Sequence, residues 1–219
     1  MEERNITVTL NKAKEWFNSG NATLKEIALQ AFSKEELNRF DFTKIKTFED
    51  ALTALGYKES TKVYIRNTIN DISMYSRASA AMTKVNIIRK ALNLGKDLHL
   101  TKDPKNSYIY YPYNPFVTKS STYYKNEINS GEMEVIGKVK NEGKEYNILG
   151  GSAYSGGFAG LGYFDSSSDV NFAYTAVGFL GCANEEIAKH LGKYFGMLIT
   201  EAKYGDIVDF EIIEAAHYA

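Results

Sequence analysis

One stretch limits the possible folds of this chain more than any other: Val177 to Gly205, VGFLGCANEEIAKHLGKYFGMLITEAKYG. It reads as a short buried strand, a tight turn and a long amphipathic helix. Asn184 fits the N-cap, Glu185 and Glu186 fall in the first turn where the helix dipole favours carboxylates, and Gly205 stops a last turn bearing Lys203. Inside the helix, Ile187, Leu191, Tyr194, Phe195, Leu198 and Ala202 recur at spacings of three and four and form one apolar stripe. A second row, Ala188, Gly192, Gly196 and Thr200, is spaced by four. Two glycines inside a helix cost about 1 kcal/mol each relative to alanine, so another element is expected to lie close against that bare ridge. The helix is therefore expected at the centre of the core.

The preceding text is helical first and β-rich later. Residues 6–10, ITVTL, alternate like a short strand or lead straight into a helix. Helical spacing follows through Trp16 and Phe17 and again from Thr23 to Phe32, with NSGN between. Ser33 with Glu36 fits a capping box, and Thr47 with Asp50 opens TFEDALTALG, which Gly56 ends. Residues 1–57 thus read as several short helices. From Thr61 to Leu94 there is neither glycine nor proline, so residues 58–95 form one long central helix or two joined near Ser76 to Ser79.

Residues 96–219 read as β-rich around helix 184–204. All three prolines fall in residues 104–115, and Pro112 and Pro115 exclude a helix from the segment SYIYYPYNPFV. MEVIGKVKNEGKEYNILGG alternates around a hairpin turn at Asn141-Glu-Gly143, NFAYTAVGFL is strand-like, and IVDFEII fits a last strand. The expected class is α+β: a helical N-terminal part, a long central helix, and a C-terminal antiparallel β-rich part holding one long packed helix.

Charge excludes a strong electrostatic handle for nucleic acid or an anionic membrane, since the formal net charge is −1 and the pI about 6.3. The balance is uneven: residues 1–100 carry 16 basic against 12 acidic side chains, and residues 101–219 carry 10 against 15. The N-terminal MEERNITVTL is too acidic for a signal peptide and no run of about 18 apolar residues is present, so the chain is expected to be made in the cytoplasm, with a virion as its route elsewhere. One cysteine and histidines at 99, 190 and 217 give no metal-ligand spacing, and no cofactor is expected.

The candidate sites are few. Tyr108, Tyr110, Tyr111, Tyr113 and Phe116 are the main candidate for a binding surface, because aromatic rings with polar tips make rigid amphipathic contact area. Core and cross-strand packing is the competing use of the same rings. Lys62, Arg66, Arg77 and Lys84 would share a narrow strip on an unbroken helix and form an alternative nucleic-acid contact. Cys182, just before a helix start, is a candidate thiol nucleophile that lacks a neighbouring base, with His190 further along the helix. The glycines of GGSAYSGGFAGLG carry no phosphate-loop lysine and open no helix, and Asp165, Ser167, Asp169 and Asn171 lack the glycine and glutamate of a calcium loop.

Phe48 to Ala51, NIIRKALNLG, Tyr110 to Pro112, Val177-Gly178, and Gly192-Lys193 with Phe195 together resemble a set of uncharacterised proteins of phages, prophages and mobile elements of gut Bacteroidales. The resemblance spans most of residues 1–205, and the chain departs from it in carrying Phe-Leu-Gly after Val177-Gly178. It implies a phage-related origin and brings no assigned activity. With no convergent acid/base or metal set in the sequence, the expected function is non-enzymatic binding or assembly, with a protein partner, as a virion or accessory component. A nucleic-acid partner and a thiol enzyme are the alternatives.

Overall fold

Local caps set the first helices. In the computed structural model, which describes residues 8–38, 40–94, 109–122, 124–156 and 180–216, the chain divides into two units, Met1–Asp41 and Phe42–Ala219. The first unit holds α1 (Leu10–Asn18), α2 (Ala22–Ala31) and α3 (Lys34–Asn38). Thr9 caps α1, so the described end of ITVTL leads into a helix, and Asn21 caps α2 by accepting from the amides of Thr23 and Leu24. Ser33 and Glu36 exchange the hydrogen bonds of a capping box. Ala13, Ala28 and Leu37 form a small buried centre beneath Trp16, Phe17 and Phe32.

The second unit opens with a 3-10 turn (Phe42–Lys44) and α4 (Phe48–Ala54), whose Thr47–Asp50 capping box forms as the spacing predicts. The stretch after it is two helices, α5 (Glu59–Ser73) and α6 (Arg77–Leu92), because the Ser76 side chain accepts from the Ser79 amide and starts a new helix there. Ser76 and the Ala78 amide also hydrogen-bond to Asp206, which ties the start of α6 to the turn that ends the last helix.

Strands β1 (Ile109–Tyr113), β2 (Phe116–Val117), β3 (Glu134–Asn141), β4 (Lys144–Gly150), β5 (Ser152–Gly156) and β6 (Phe210–Ala215) follow, with a short α7 (Lys125–Asn129) before β3. All pairings are antiparallel: β1 with β5, and a four-stranded sheet in the order β2-β4-β3-β6. The β3–β4 hairpin turns through Glu142 and Gly143, both at positive φ (48° and 75°), the backbone signature of a two-residue type I′ loop. The α+β class with a long C-terminal helix is what the described residues form.

That helix, α8 (Glu185–Tyr204), is capped by Asn184 and ends at Gly205. It is buried around most of its circumference, from Ile187 to Ala202, more completely than a single apolar stripe provides. Helix α6, in which Ala80, Ala81, Val85 and Ile88 are buried, packs on one side of it. On the other, Met197 joins Ile136, Val139, Ile148 and Phe210 in the sheet core. The bare ridge meets Pro112, Asn114 and Ile136: a Cβ on Gly192 would sit 2.9 Å from the Pro112 Cβ, and one on Gly196 would run into the Ile136 side chain. Expectations for the glycine-rich residues from 157 on, the polar run 165–171 and most of NFAYTAVGFL lie outside the described residues.

Candidate functional site

A carboxamide clamp sets the geometry of the site. Between β1 and β2, the Asn114 side chain donates from Nδ2 to the Leu149 carbonyl of β4 (2.8 Å) and to the Gly192 carbonyl of α8 (3.0 Å). Because the clamp lies against the glycine ridge, the Tyr/Pro segment is drawn along the helix and Phe116 is carried out over its last turns.

A groove of about 670 Å³ results, within the size range of ligand sites. Tyr111, Tyr113 and Phe116 line it from β1 and β2, Tyr124 from the start of α7, Tyr146 from β4, and Tyr204 from α8. The Phe116 ring is 36% exposed, and it stands edge-on to Tyr204 at 5.6 Å and tilted to Tyr146 and Phe210 at 6.4 Å. Tyr113 and Tyr124 share a hydroxyl hydrogen bond of 3.0 Å. Asn114, Thr118, Ser121 and Thr200 supply neutral polar groups.

Lys203 is the one cation among the described lining residues. It follows Ile199 and Thr200 on the face of α8 turned to the groove. Desolvation by its packed neighbours pushes its pKa below the usual lysine value, although the side chain as a whole stays exposed.

Three of the five aromatic residues singled out in the sequence therefore meet in the groove. Tyr110 instead forms an isolated bridge, its amide donating to the Cys182 carbonyl (3.2 Å) and its carbonyl accepting from the Cys182 amide (2.8 Å), and Tyr108 lies outside the described residues. Core packing and a binding surface are not exclusive uses, since Phe116 touches the buried Phe210 while leaving a third of itself open. Tyr146, Lys203 and Tyr204 were not legible as site residues: each belongs to an ordinary strand or helix pattern, and only the tertiary fold turns them toward Phe116.

The basic strip is corrected by the same structure. It required one continuous helix, and the break before Ser76 puts Lys62 and Arg66 on α5 and Arg77 and Lys84 on α6, of which only Arg66 and Lys84 line one small cleft, beside Glu49. Their charges are also engaged. Arg66 makes a two-pronged pair with Glu49 (both 2.7 Å) and reaches Glu59 (3.0 Å), contacts that raise its pKa further above the ordinary arginine value. Arg77 pairs with Glu201 (3.0 Å), Lys62 donates to Thr53 (2.9 Å), and Lys84 lies over the Phe48 ring at 6.0 Å.

Cys182 is fully buried, and burial pushes its thiol up to about 12 despite its place before α8. Its Sγ–H donates to the Leu180 carbonyl (3.4 Å). His190 is held elsewhere, its Nε2–H donating to the Ile45 carbonyl (2.6 Å) while the ring packs against Phe42 and Tyr194. The thiol-enzyme alternative thus has a sulfur without thiolate character and a histidine engaged with another carbonyl. Iodoacetamide at pH 7.5 is expected to leave native Cys182 unmodified over hours and to alkylate it within minutes in denaturant, as read by intact mass. Rapid native labelling would contradict this burial.

A second cleft, of about 690 Å³, surrounds His190 and Tyr194. Its cations are compensated, Lys189 by Glu185 (2.8 Å) and Lys193 by Glu134 (2.9 Å), while Lys46 stands over the Tyr194 ring at 5.2 Å. Among the described residues no group of three histidine, cysteine or acidic side chains is placed to hold a metal ion, and no helix is long and apolar enough to cross a membrane. In comparisons with known proteins, no family model matches the chain, and no curated protein or solved structure gives a match.

Proposed function

We propose that this chain is a non-enzymatic binding protein that holds a partner protein in the aromatic groove between the β1–β2 segment and the last turns of α8. One observation carries the reading: aromatic side chains distant in sequence, Tyr111, Tyr113, Phe116, Tyr124, Tyr146 and Tyr204, converge on one open groove. Rings of this kind give large contact area at a small cost in side-chain entropy, with a hydroxyl left to orient the partner. Apart from Lys203, the described lining is aromatic, aliphatic, amide or hydroxyl, which favours recognition over turnover. On the resemblance to phage and mobile-element proteins, the partner is a component met in assembling or accompanying such an element. Nucleic acid is the weaker reading, because Arg66 and Arg77 are already ion-paired.

A neutral aromatic fluorophore, N-phenyl-1-naphthylamine, tests the groove directly. It is expected to bind one per chain with a blue-shifted emission. Thr118→Trp, which fills the groove from an exposed position without removing a core ring, is expected to weaken binding at least tenfold. Tyr64→Ala, on a side chain 72% exposed on α5, is expected to leave it unchanged. Equal binding by Thr118→Trp and the unaltered chain would refute the reading, as would substrate turnover by the purified protein that one point change abolishes.

A further inference from the structure

Lys203 is out of keeping with the other charged groups of this surface. Four cations of this surface have carboxylate partners, Lys119 with Glu145 (2.9 Å), Lys193 with Glu134 (2.9 Å), Lys189 with Glu185 (2.8 Å) and Arg77 with Glu201 (3.0 Å), and Lys46 lies over the Tyr194 ring at 5.2 Å. Lys203 has no hydrogen bond or ion pair among the described residues, although it stands on the wall of an aromatic groove where a partly desolvated cation is costly to leave uncompensated. A carboxylate brought to it would relieve that cost.

We infer that the groove takes a polypeptide segment of a partner protein in which an apolar or aromatic side chain is followed by a carboxylate, the first seated against Phe116 and Tyr204 and the second paired with Lys203. The inference rests on the groove being the binding site and adds its charge preference. Two features of the groove match this occupant. Phe116 and Tyr204 stand edge to face at 5.6 Å with Phe116 part open, a platform for one more ring. Lys203 and Tyr204 both line the groove with Phe116, which puts the cation on the same wall as that platform. The direction of its pKa fits too, since the desolvation that destabilises the lone ammonium is offset when a carboxylate arrives.

Two probes that share a skeleton and differ in charge separate this inference from the reading beneath it. 1-Anilinonaphthalene-8-sulfonate carries an anion that N-phenyl-1-naphthylamine lacks. The unaltered protein is expected to bind the sulfonate about tenfold more tightly, and Lys203→Met to bring the two affinities within twofold by weakening only the sulfonate. Because Lys203 is exposed and has no partner to lose among the described residues, that variant is expected to melt at the same temperature. N-acetyl-Trp-Glu-amide is expected to displace the sulfonate at about a tenth of the concentration needed by N-acetyl-Trp-Gln-amide. Equal affinity of the two fluorophores for the unaltered protein would overturn the charge preference and leave the groove standing. Equal displacement by the two peptides would overturn the acidic segment as occupant. Failure of both fluorophores to bind, or binding unaffected by Thr118→Trp, would remove the groove itself.

Discussion

Gly196→Ala is expected to destabilise the protein by about 2 kcal/mol, although alanine is the better helix former at that position by about 1 kcal/mol. The sign follows from what the new methyl would meet. It would run into the fully buried Ile136 side chain and stand 2.7 Å from the Asn114 Nδ2, whose position is fixed by its two carbonyl acceptors. Neither neighbour can move aside without cost, because Ile136 is packed between Val139, Ile148 and Met197 in the sheet core. Overpacking of this kind typically costs about 1–3 kcal/mol, and more when a hydrogen-bonded group is displaced with it. For a chain of this length a net loss of 2 kcal/mol lowers the melting temperature by about 6 °C. Differential scanning calorimetry is the measurement, and a melting temperature that is unchanged or raised would mean that the ridge is not in contact with β3 and the Asn114 clamp.

Asn114→Asp is expected to be the more damaging change, about 3 kcal/mol at pH 7. The side chain keeps its shape, so the loss isolates the chemistry. A donor facing the Leu149 and Gly192 carbonyls becomes an acceptor facing them, and both carbonyls lose their side-chain donor. Ionisation is opposed by the two carbonyl oxygens, so the folded-state pKa of the new carboxyl is raised above its unfolded value of about 3.9. The penalty is therefore present above the raised pKa and is relieved as pH falls through it. Relief is partial, since a protonated carboxyl has one hydrogen for two carbonyls. Urea midpoints at pH 7 and pH 4, each compared with the unaltered protein at the same pH, are expected to show the larger deficit at pH 7. A deficit that does not change with pH would exclude this account. Because the clamp holds Phe116 over α8, binding of N-phenyl-1-naphthylamine is expected to weaken in parallel.

Much of the architecture was legible in the sequence because the signals that specify it are local. The Asn184 cap, the Thr47–Asp50 and Ser33–Glu36 boxes and the Glu142-Gly143 turn each act over two to four residues, and all four form where the spacing places them. The break before α6 was legible only as an alternative. No glycine or proline marks it, and the Ser76 side chain that starts the new helix is also bound by Asp206, a residue from the far end of the chain. The reading of Lys62, Arg66, Arg77 and Lys84 as one strip failed for that reason. Helical angle can be counted along a sequence, whereas the carboxylates of Glu49 and Glu201 that engage two of those cations come from other elements.

By itself the sequence determined the class of fold, the central place of α8 and the presence of an aromatic segment that prolines keep out of a helix. Each of these follows from periodicity, capping or backbone sterics, forces that act between near neighbours and leave their record in residue order. Only the tertiary structure decided that the segment lies along the glycine ridge, that Tyr146 and Tyr204 close on Phe116, and that Lys203 stands among them without a partner among the described residues. Those outcomes depend on a carboxamide spanning from β4 to α8 and on a sheet register that brings residue 116 beside residue 148, contacts between positions far apart in the chain. Packing selects such contacts after the elements have formed, and nothing in the spacing of residues along the chain encodes them.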